Sequence, residues 1–446
     1  MSNIAYISTE FPPRMFGGLG AYTLDMTRML TKMGHSVTVY TPNDNATLPF
    51  REVIEGINVV RPQSYSDSDV MEQFLSDGTK QRWGENGIEF LFDFLSYNRR
   101  CAEILLDEIK TGDNPVDVCV GHDWLALPAI LMIKRHSDIP TVYHVHSTEV
   151  GRSLGDINWQ IRNLELQGVH TAHRVITVSN AMKEQLVEMG APADRISVCY
   201  NAVNHMTYNP SKVSGADVSA LRKEYGLSPQ DKVILFIGRL EEVKGAYPLV
   251  QAMKTVINEQ AGEKNIKNNM DNKTNKNINK NRPNKKTDTK VHLIVVGRGV
   301  LEGVIRDTIK NEGLSDYVTL NTGFLDLPLK LAHLKLADIC VFPSLYEPFG
   351  IVALEAMAME TPLIVGAKGT SGLREIVITP PSKDACGMHV DPSNPLDIAW
   401  AINNILGMDE NEVRRWGKNG RKRVLDMFTW EHIAQQTLEV YESIKV

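Results

Sequence analysis

The segment Ile339-Cys340-Val341-Phe342-Pro343-Ser344-Leu345-Tyr346-Glu347-Pro348-Phe349-Gly350-Ile351-Val352-Ala353-Leu354-Glu355 decides the reading of this chain. Ile339–Phe342 is a short continuous apolar run of the kind a strand covered on both faces requires. Pro348 and Gly350 bracket a helix start. Glu347 then projects from the entry loop and Glu355 from the second helical turn. The backbone N–H groups around Phe349 and Gly350 belong to a helix N-terminus and suit hydroxyls or partial negative charge. An acidic helix cap accounts for Glu347 alone, but not for Pro-Phe-Gly or for the second carboxylate.

The same strand-then-helix pattern repeats outward in both directions. Upstream in the same half, Lys232–Ile237, Val291–Val296 and Val318–Leu320 read as strands, and Leu363–Val365 follows downstream. An earlier series holds Ile4–Ser8, Val37–Tyr40, Val116–Val120, Thr141–Val145, Val175–Val178 and Ile196–Val198, with helices such as Gly20–Met33, Phe90–Ile109 and Asn180–Met189 between them. Short apolar runs separated by helices predict parallel sheets covered on both faces. The expected architecture is therefore two doubly wound α/β domains, residues 1–209 and 210–429, joined through the turn-forming run Asn209–Gly215. A last helix within 430–446 is expected to cover either domain. Two such domains imply a cleft, with ligands beyond the carboxyl ends of the strands.

Composition agrees. The 446 residues suffice for two or three domains, and 42% hydrophobic with 23% charged residues excludes a disordered, collagen-like or coiled-coil chain. No apolar run reaches the roughly 18–20 residues that cross a bilayer, and no signal sequence is evident, so no integral membrane segment and a cytoplasmic location are expected. Three of the five cysteines, Cys119, Cys199 and Cys340, sit in apolar runs and read as buried thiols rather than a disulfide framework or zinc site. The net charge of −6 argues against nucleic acid as a partner. Residues 262–290 hold nine Lys/Arg, three Asp/Glu and nine Asn, a local +6 that leaves −12 on the rest. This segment reads as a disordered, solvated insertion, with a nucleic-acid or anionic-surface tether as the sharper alternative.

Further motifs follow strands. Glu10-Phe11-Pro12-Pro13-Arg14-Met15-Phe16-Gly17-Gly18-Leu19-Gly20 enters a helix whose first N–H groups suit a phosphate; a sharp strand-to-helix turn is the plainer reading. Gly238-Arg239-Leu240-Glu241-Glu242-Val243-Lys244-Gly245 places an Arg and a Lys on one turn, where they could converge on a diphosphate or simply stay solvated. Gly297-Arg298-Gly299 fails the dinucleotide fingerprint. Gly121-His122-Asp123-Trp124 follows another strand, and His144 and His146 share one face of the next; no third metal ligand stands at a recognised spacing. Asp67-Ser68-Asp69 reads as a solvated loop.

Together these residues resemble the glycogen/starch synthase-like branch of the group 1 retaining glycosyltransferases of GT-B fold, over nearly the whole chain except 262–290. Glu10–Gly20 looks like that family's Gly-Gly donor loop, Gly238–Gly245 its Arg/Lys diphosphate clamp, and Glu347–Glu355 its Glu-x7-Glu signature. Thr141–His146 resembles the strand ending in its active-site histidine, which aligns with His146. Val178-Ser179-Asn180 and Asn201–Asn204 resemble two further cleft-facing segments.

The resemblance implies a hexosyl transfer from a nucleotide sugar, ADP- or UDP-glucose, to a glycan acceptor, with α-1,4-glucan elongation favoured and neither cofactor nor metal. It implies that Arg239 and Lys244 neutralise the leaving nucleoside diphosphate and that Gly17 and Gly18 approach it. Glu355 holds the ribose, Glu347 sits beside the transferred sugar with the Phe349 and Gly350 amides on its hydroxyls, His146 contacts the sugar, and Asp123 orients the acceptor. Two departures bear on donor and acceptor identity: Met15 stands where glycogen synthases carry a Lys, and Gly369–Glu375 is longer than the usual Gly-Gly loop. A mannosyl- or glucosyltransferase with a sucrose-type or lipid acceptor, a nucleotide-sugar epimerase and a catalytically silent carbohydrate-binding protein are the alternatives.

Overall fold

The computed structural model describes residues 1–43, 47–63, 73, 75–274 and 290–445. Asp67-Ser68-Asp69 and the 275–289 part of the expected insertion lie outside the described residues. The chain forms two units, one of Met1–Ala202 with Trp430–Val446 and one of Val203–Thr429. The division thus falls at Ala202/Val203, ahead of the Asn209–Gly215 run; Val203 N–H already donates to Phe428 O at 3.0 Å, inside the second unit.

The first unit holds β1 (Asn3–Ile7), β2 (Ser36–Tyr40), β3 (Arg51–Ile54), β4 (Ile57–Val60), β5 (Val118–His122), β6 (Thr141–Val145), β7 (Arg174–Thr177) and β8 (Ile196–Val198). They lie in the order β3-β4-β2-β1-β5-β6-β7-β8. All pairs are parallel except β3–β4, a hairpin turning at Glu55 (φ 52°) and Gly56 (φ 82°). The central strands are buried along their length, as their apolar runs demand.

The C-terminal helix Trp430–Glu442 belongs to this unit. Its Ile433, Ala434 and Leu438 join the core of Ile4, Met26 and Val37, and the Tyr441 hydroxyl meets that of Tyr6 at 2.8 Å.

The second unit holds β9 (Lys232–Ile237), β10 (Val291–Val296), β11 (Val318–Asn321), β12 (Ile339–Phe342), β13 (Leu363–Gly366) and β14 (Gly387–Val390), all parallel in the order β11-β10-β9-β12-β13-β14. The helix that follows β9 runs from Ala246 to Thr274, into the segment expected to be disordered. Low hydrophobicity does not forbid helical backbone, whose hydrogen bonds close within the segment itself, and Glu and Lys are adequate helix formers.

Strand order reverses between β1 and β5 in the first sheet and between β9 and β12 in the second. At such switch points the loops leaving adjacent strands run to opposite faces and open a crevice. The motifs after β1, β5 and β6, and those after β9 and β12, therefore gather at the carboxyl end of their own sheet.

Candidate active site

In the second unit, the loop after β9 closes onto the loop after β12. Gly245 adopts φ 71°, and a Cβ there would lie 1.9 Å from the Pro343 carbonyl oxygen, so only glycine lets the two backbones meet. Leu345 N–H donates to Val243 O at 2.9 Å across the same contact. This brings the Lys244 ammonium to 2.7 Å from Glu347 Oε2, with Ser344 Oγ at 3.4 Å from the same oxygen. Both side chains are largely shielded, at 22% and 13% exposure, which strengthens their attraction over that of a surface pair.

Arg239 does not join Lys244 here. Its guanidinium is exposed and donates to Glu241 Oε1 at 2.7 Å. The backbone beneath it is braced by the Gly297–Gly299 loop, which failed as a fingerprint: Leu240 N–H donates to Arg298 O at 2.7 Å.

Gly350, at φ 103°, caps the helix Ile351–Ala358, which carries Glu355. Glu355 is buried and fully engaged: Tyr208 OH donates to its Oε1 at 2.6 Å, and Lys330 Nζ lies 2.6 Å from its Oε2. Lys330 also stands over the Tyr208 ring, 5.5 Å from its centroid. Sequence reasoning missed both partners. Tyr208 lies just before the Asn209–Gly215 run read as a linker, in no motif; Lys330 is a charge inside the apolar helix Leu327–Leu336, a signal that was available.

Phe349 is buried 5.9 Å from the Phe428 ring, centroid to centroid. The Gly369–Glu375 loop packs on Glu347, whose carbonyl accepts Gly372 N–H at 2.8 Å.

In the first unit, the glycine loop after β1 carries its own anion. Glu10 Oε2 accepts N–H groups from Phe16 at 3.2 Å and from Gly17 and Gly20 at 3.0 Å each. Gly17 is the N-cap of the helix Gly18–Lys32. The amides expected to face a phosphate are thus held by a carboxylate of the same loop, with Gly18 opening the helix beside it.

At the carboxyl ends of β5 and β6 stand three clustered imidazoles: His122 ends β5, His144 lies within β6 and His146 follows it. His122 Nδ1 lies 3.0 Å from His146 Nε2, and the rings of His144 and His146 are 4.3 Å apart at 15°. Burial holds all three below the usual imidazole range, His122 and His144 well below it, while Asp123 and Glu10 oppose the shift at His146. All three are therefore neutral near pH 7. Their ligand atoms lie within 4.8 Å of one another. The ring planes nevertheless differ by only 15–29°. His122 Nδ1 and His146 Nε2 are taken up by their mutual hydrogen bond.

Asp123 Oδ1 accepts His146 N–H at 2.7 Å and Ser147 N–H at 3.2 Å. Only 9% of Asp123 is exposed. The residue expected to orient an acceptor thus fixes the backbone that carries His146.

Taken unit by unit, the geometry offers a shielded ammonium–carboxylate pair and a tethered second carboxylate on one sheet, and a neutral histidine cluster with an amide nest closed by Glu10 on the other. Among the described residues, no helix is long and apolar enough to cross a membrane.

Comparison with known proteins gives a consistent result. The family described as Glycosyltransferase Family 4 matches residues 16–206, and Glycosyl transferases group 1 matches residues 217–423. An uncharacterized glycosyltransferase of Methanocaldococcus jannaschii is 30% identical over 98% of this chain and 97% of its own. A glycogen synthase of Mycobacterium tuberculosis is 26% identical over 99% of this chain and 95% of its own. Among solved structures, a sucrose-phosphate synthase of Thermosynechococcus elongatus superposes with a TM-score of 0.73 at 22% identity, covering 100% of this chain and 99% of that one.

Proposed function

The chain belongs to the group 1 glycosyltransferases with the GT-B fold, and from that premise we propose that it moves a glucosyl unit from ADP- or UDP-glucose to an α-glucan acceptor with retention of anomeric configuration. The observation that carries this reading is the Lys244–Glu347 pair at the carboxyl ends of β9 and β12. Breaking a sugar–diphosphate bond puts negative charge on the leaving group and positive charge on the anomeric carbon. A cation and a carboxylate held at fixed positions beforehand stabilise that separation without reorganising.

Each residue has a part in this reading. Lys244 takes the charge of the departing diphosphate, and Arg239 exchanges Glu241 for the same phosphate. Glu347 faces the transferred sugar, whose hydroxyls meet the Phe349 and Gly350 amides. Glu355, aimed by Tyr208 and Lys330, accepts the ribose hydroxyls. Gly17 and Gly18 are assigned to the diphosphate, whose approach to the Gly17 amide requires Glu10 to release it. Neutral His146 donates to the sugar, and Asp123 keeps it in place. Same-face attack by the acceptor hydroxyl, its proton passing to the leaving phosphate oxygen, yields retention and needs no metal. The five free, buried cysteines support a reducing, cytoplasmic setting.

The test is a panel of nucleotide sugars incubated with glycogen, short maltooligosaccharides, phosphorylated monosaccharides or water, with nucleoside diphosphate release measured. Release from ADP- or UDP-glucose that depends on glucan supports the reading. Release that depends on a phosphorylated monosaccharide overturns the acceptor assignment, and sugar conversion with the nucleotide retained overturns transfer itself.

A further inference from the structure

We propose that the first unit carries a binding site for a neutral oligosaccharide, built around Trp159 and separate from the residues assigned to chemistry. It deepens the glucan reading above and rests on it for the choice of ligand. The site is a depression of about 580 Å³ between the start of the helix Asp77–Thr111 and the turn that leads into the helix Trp159–Thr171. Trp159, Gln160, Asn163, Asp156 and Arg82 line it. Trp159 opens its helix and is 60% exposed.

The chemistry of this lining selects its ligand. Sugar rings present an apolar face of C–H groups and a rim of hydroxyls; an indole face covers the first, and planar amides and carboxylates bond the second. Arg162 stacks on the indole, 5.2 Å from its centroid, without lining the depression. Arg82 donates to Asp156 Oδ1 at 2.9 Å and to its carbonyl at 3.2 Å, so the one strong cation in the lining is already neutralised. A phosphate would meet the exposed Asp156 carboxylate, and an apolar ligand would strand the amides. A chain of uncharged hydroxylated rings satisfies both.

The wall is also rigid before any ligand arrives. Glu149 Oε1 accepts Asn158 N–H at 2.9 Å, and Asn158 Oδ1 caps the helix through the N–H groups of Gln160 and Ile161. Glu149 is itself fixed, its N–H donating to Glu165 at 2.9 Å and its carboxylate joined with Glu165 to Arg152. This network, with Glu149 and Glu165 buried, sits on the connection that leaves β6 just after His146, and it fixes the backbone of the helix start that carries Trp159, which lowers the ordering cost on binding. The site would hold the body of a long glucan.

The experiment is calorimetric titration of the full-length protein with maltoheptaose, without any nucleotide sugar. Wild type is expected to bind at millimolar or better affinity, Trp159→Ala to bind at least tenfold more weakly, and Trp159→Phe to recover most of the loss. No binding by wild type, equal affinity in W159A, or binding of glucose 1-phosphate in preference to maltoheptaose overturns the proposal. Diphosphate release by wild type is scored separately: without release from any donor the transfer reading fails, while the binding result still decides this site.

Discussion

The Glu10 carboxylate accepts the Gly17 amide at 3.0 Å, and the same oxygen takes the amides of Phe16 and Gly20. One carboxylate oxygen thus closes two of the donors that a helix N-terminus leaves without intrahelical partners, Gly17 and Gly20, together with the Phe16 amide just ahead of the cap. Charge-assisted bonds of this kind are stronger than neutral ones, but water reaches two of these amides. Glu10→Ala should lower the unfolding free energy by about 2 kcal/mol, and Glu10→Gln by about half as much, because a neutral oxygen keeps the geometry and loses the charge. Urea denaturation of the three proteins measures this; an unchanged midpoint in E10A would mean the nest holds itself together.

The Lys244–Glu347 pair makes a sharper prediction about turnover. If the ammonium stabilises the leaving diphosphate, Lys244→Ala should lower kcat/KM by on the order of 10² or more, the scale of losing one preorganised electrostatic group. Lys244→Arg should restore only part, since a planar fork cannot reproduce a compact charge 2.7 Å from Glu347. Steady-state release of nucleoside diphosphate checks both; wild-type rates in K244A would remove this residue from the reaction.

The parts of the fold legible in the sequence were those whose local pattern leaves one choice. Ile339–Phe342, Val291–Val296 and Thr141–Val145 are apolar on both faces, and only a central parallel strand buries both. The β3–β4 hairpin escaped notice because Arg51–Ile54 alternates exposed and half-buried residues at a sheet edge, and four such residues carry little signal. The division of labour at the site follows the same logic. Lys244 and Glu347 stand in motifs whose loops the glycine at 245 forces together. Tyr208 and Lys330 reach Glu355 only because the fold brings distant segments side by side, and no local pattern encodes that. Arg239 was visible as a cation, but its pairing with Glu241 depends on a rotamer that sequence does not specify.

Stability should also depend on pH through the histidine stack. In the unfolded chain His122, His144 and His146 take up protons as pH falls through about 6.5; in the folded chain burial keeps them neutral to lower pH. The unfolded state then binds more protons, so stability present above pH 6.5 is lost below it, each strongly depressed histidine contributing up to about 1.4 kcal/mol per pH unit. Glu165 works in the opposite sense: burial pushes its carboxyl up to about 7, so the folded state gains a proton there as pH falls. One such carboxyl offsets roughly one histidine. The first unit should therefore lose about 1 kcal/mol between pH 6.5 and 5.5, and Glu165→Gln should steepen that loss. Denaturant unfolding at the two pH values tests the sign; greater stability at pH 5.5 in Glu165→Gln, where the opposing carboxyl is gone, would show that the imidazoles are charged in the folded protein.

Glu355 offers a test that separates binding from chemistry. Its carboxylate is buried and held from two directions by Tyr208 and Lys330, each at 2.6 Å. A carboxylate that binds the ribose contributes the same interaction before and during transfer, because the ribose is remote from the breaking bond. Removing one of its supports should therefore raise KM for the donor and leave kcat nearly unchanged, the pattern expected when uniform binding is lost. Tyr208→Phe deletes a single hydroxyl while keeping the ring under Lys330, so packing is preserved and only the aim of Glu355 loosens. An increase of about tenfold in donor KM corresponds to about 1.4 kcal/mol, within the range of one hydrogen bond to a charged group. Initial rates across a donor concentration series distinguish the outcomes. A fall in kcat at constant KM would place Glu355 among the groups acting on the transition state, and no change in either would detach it from the donor altogether.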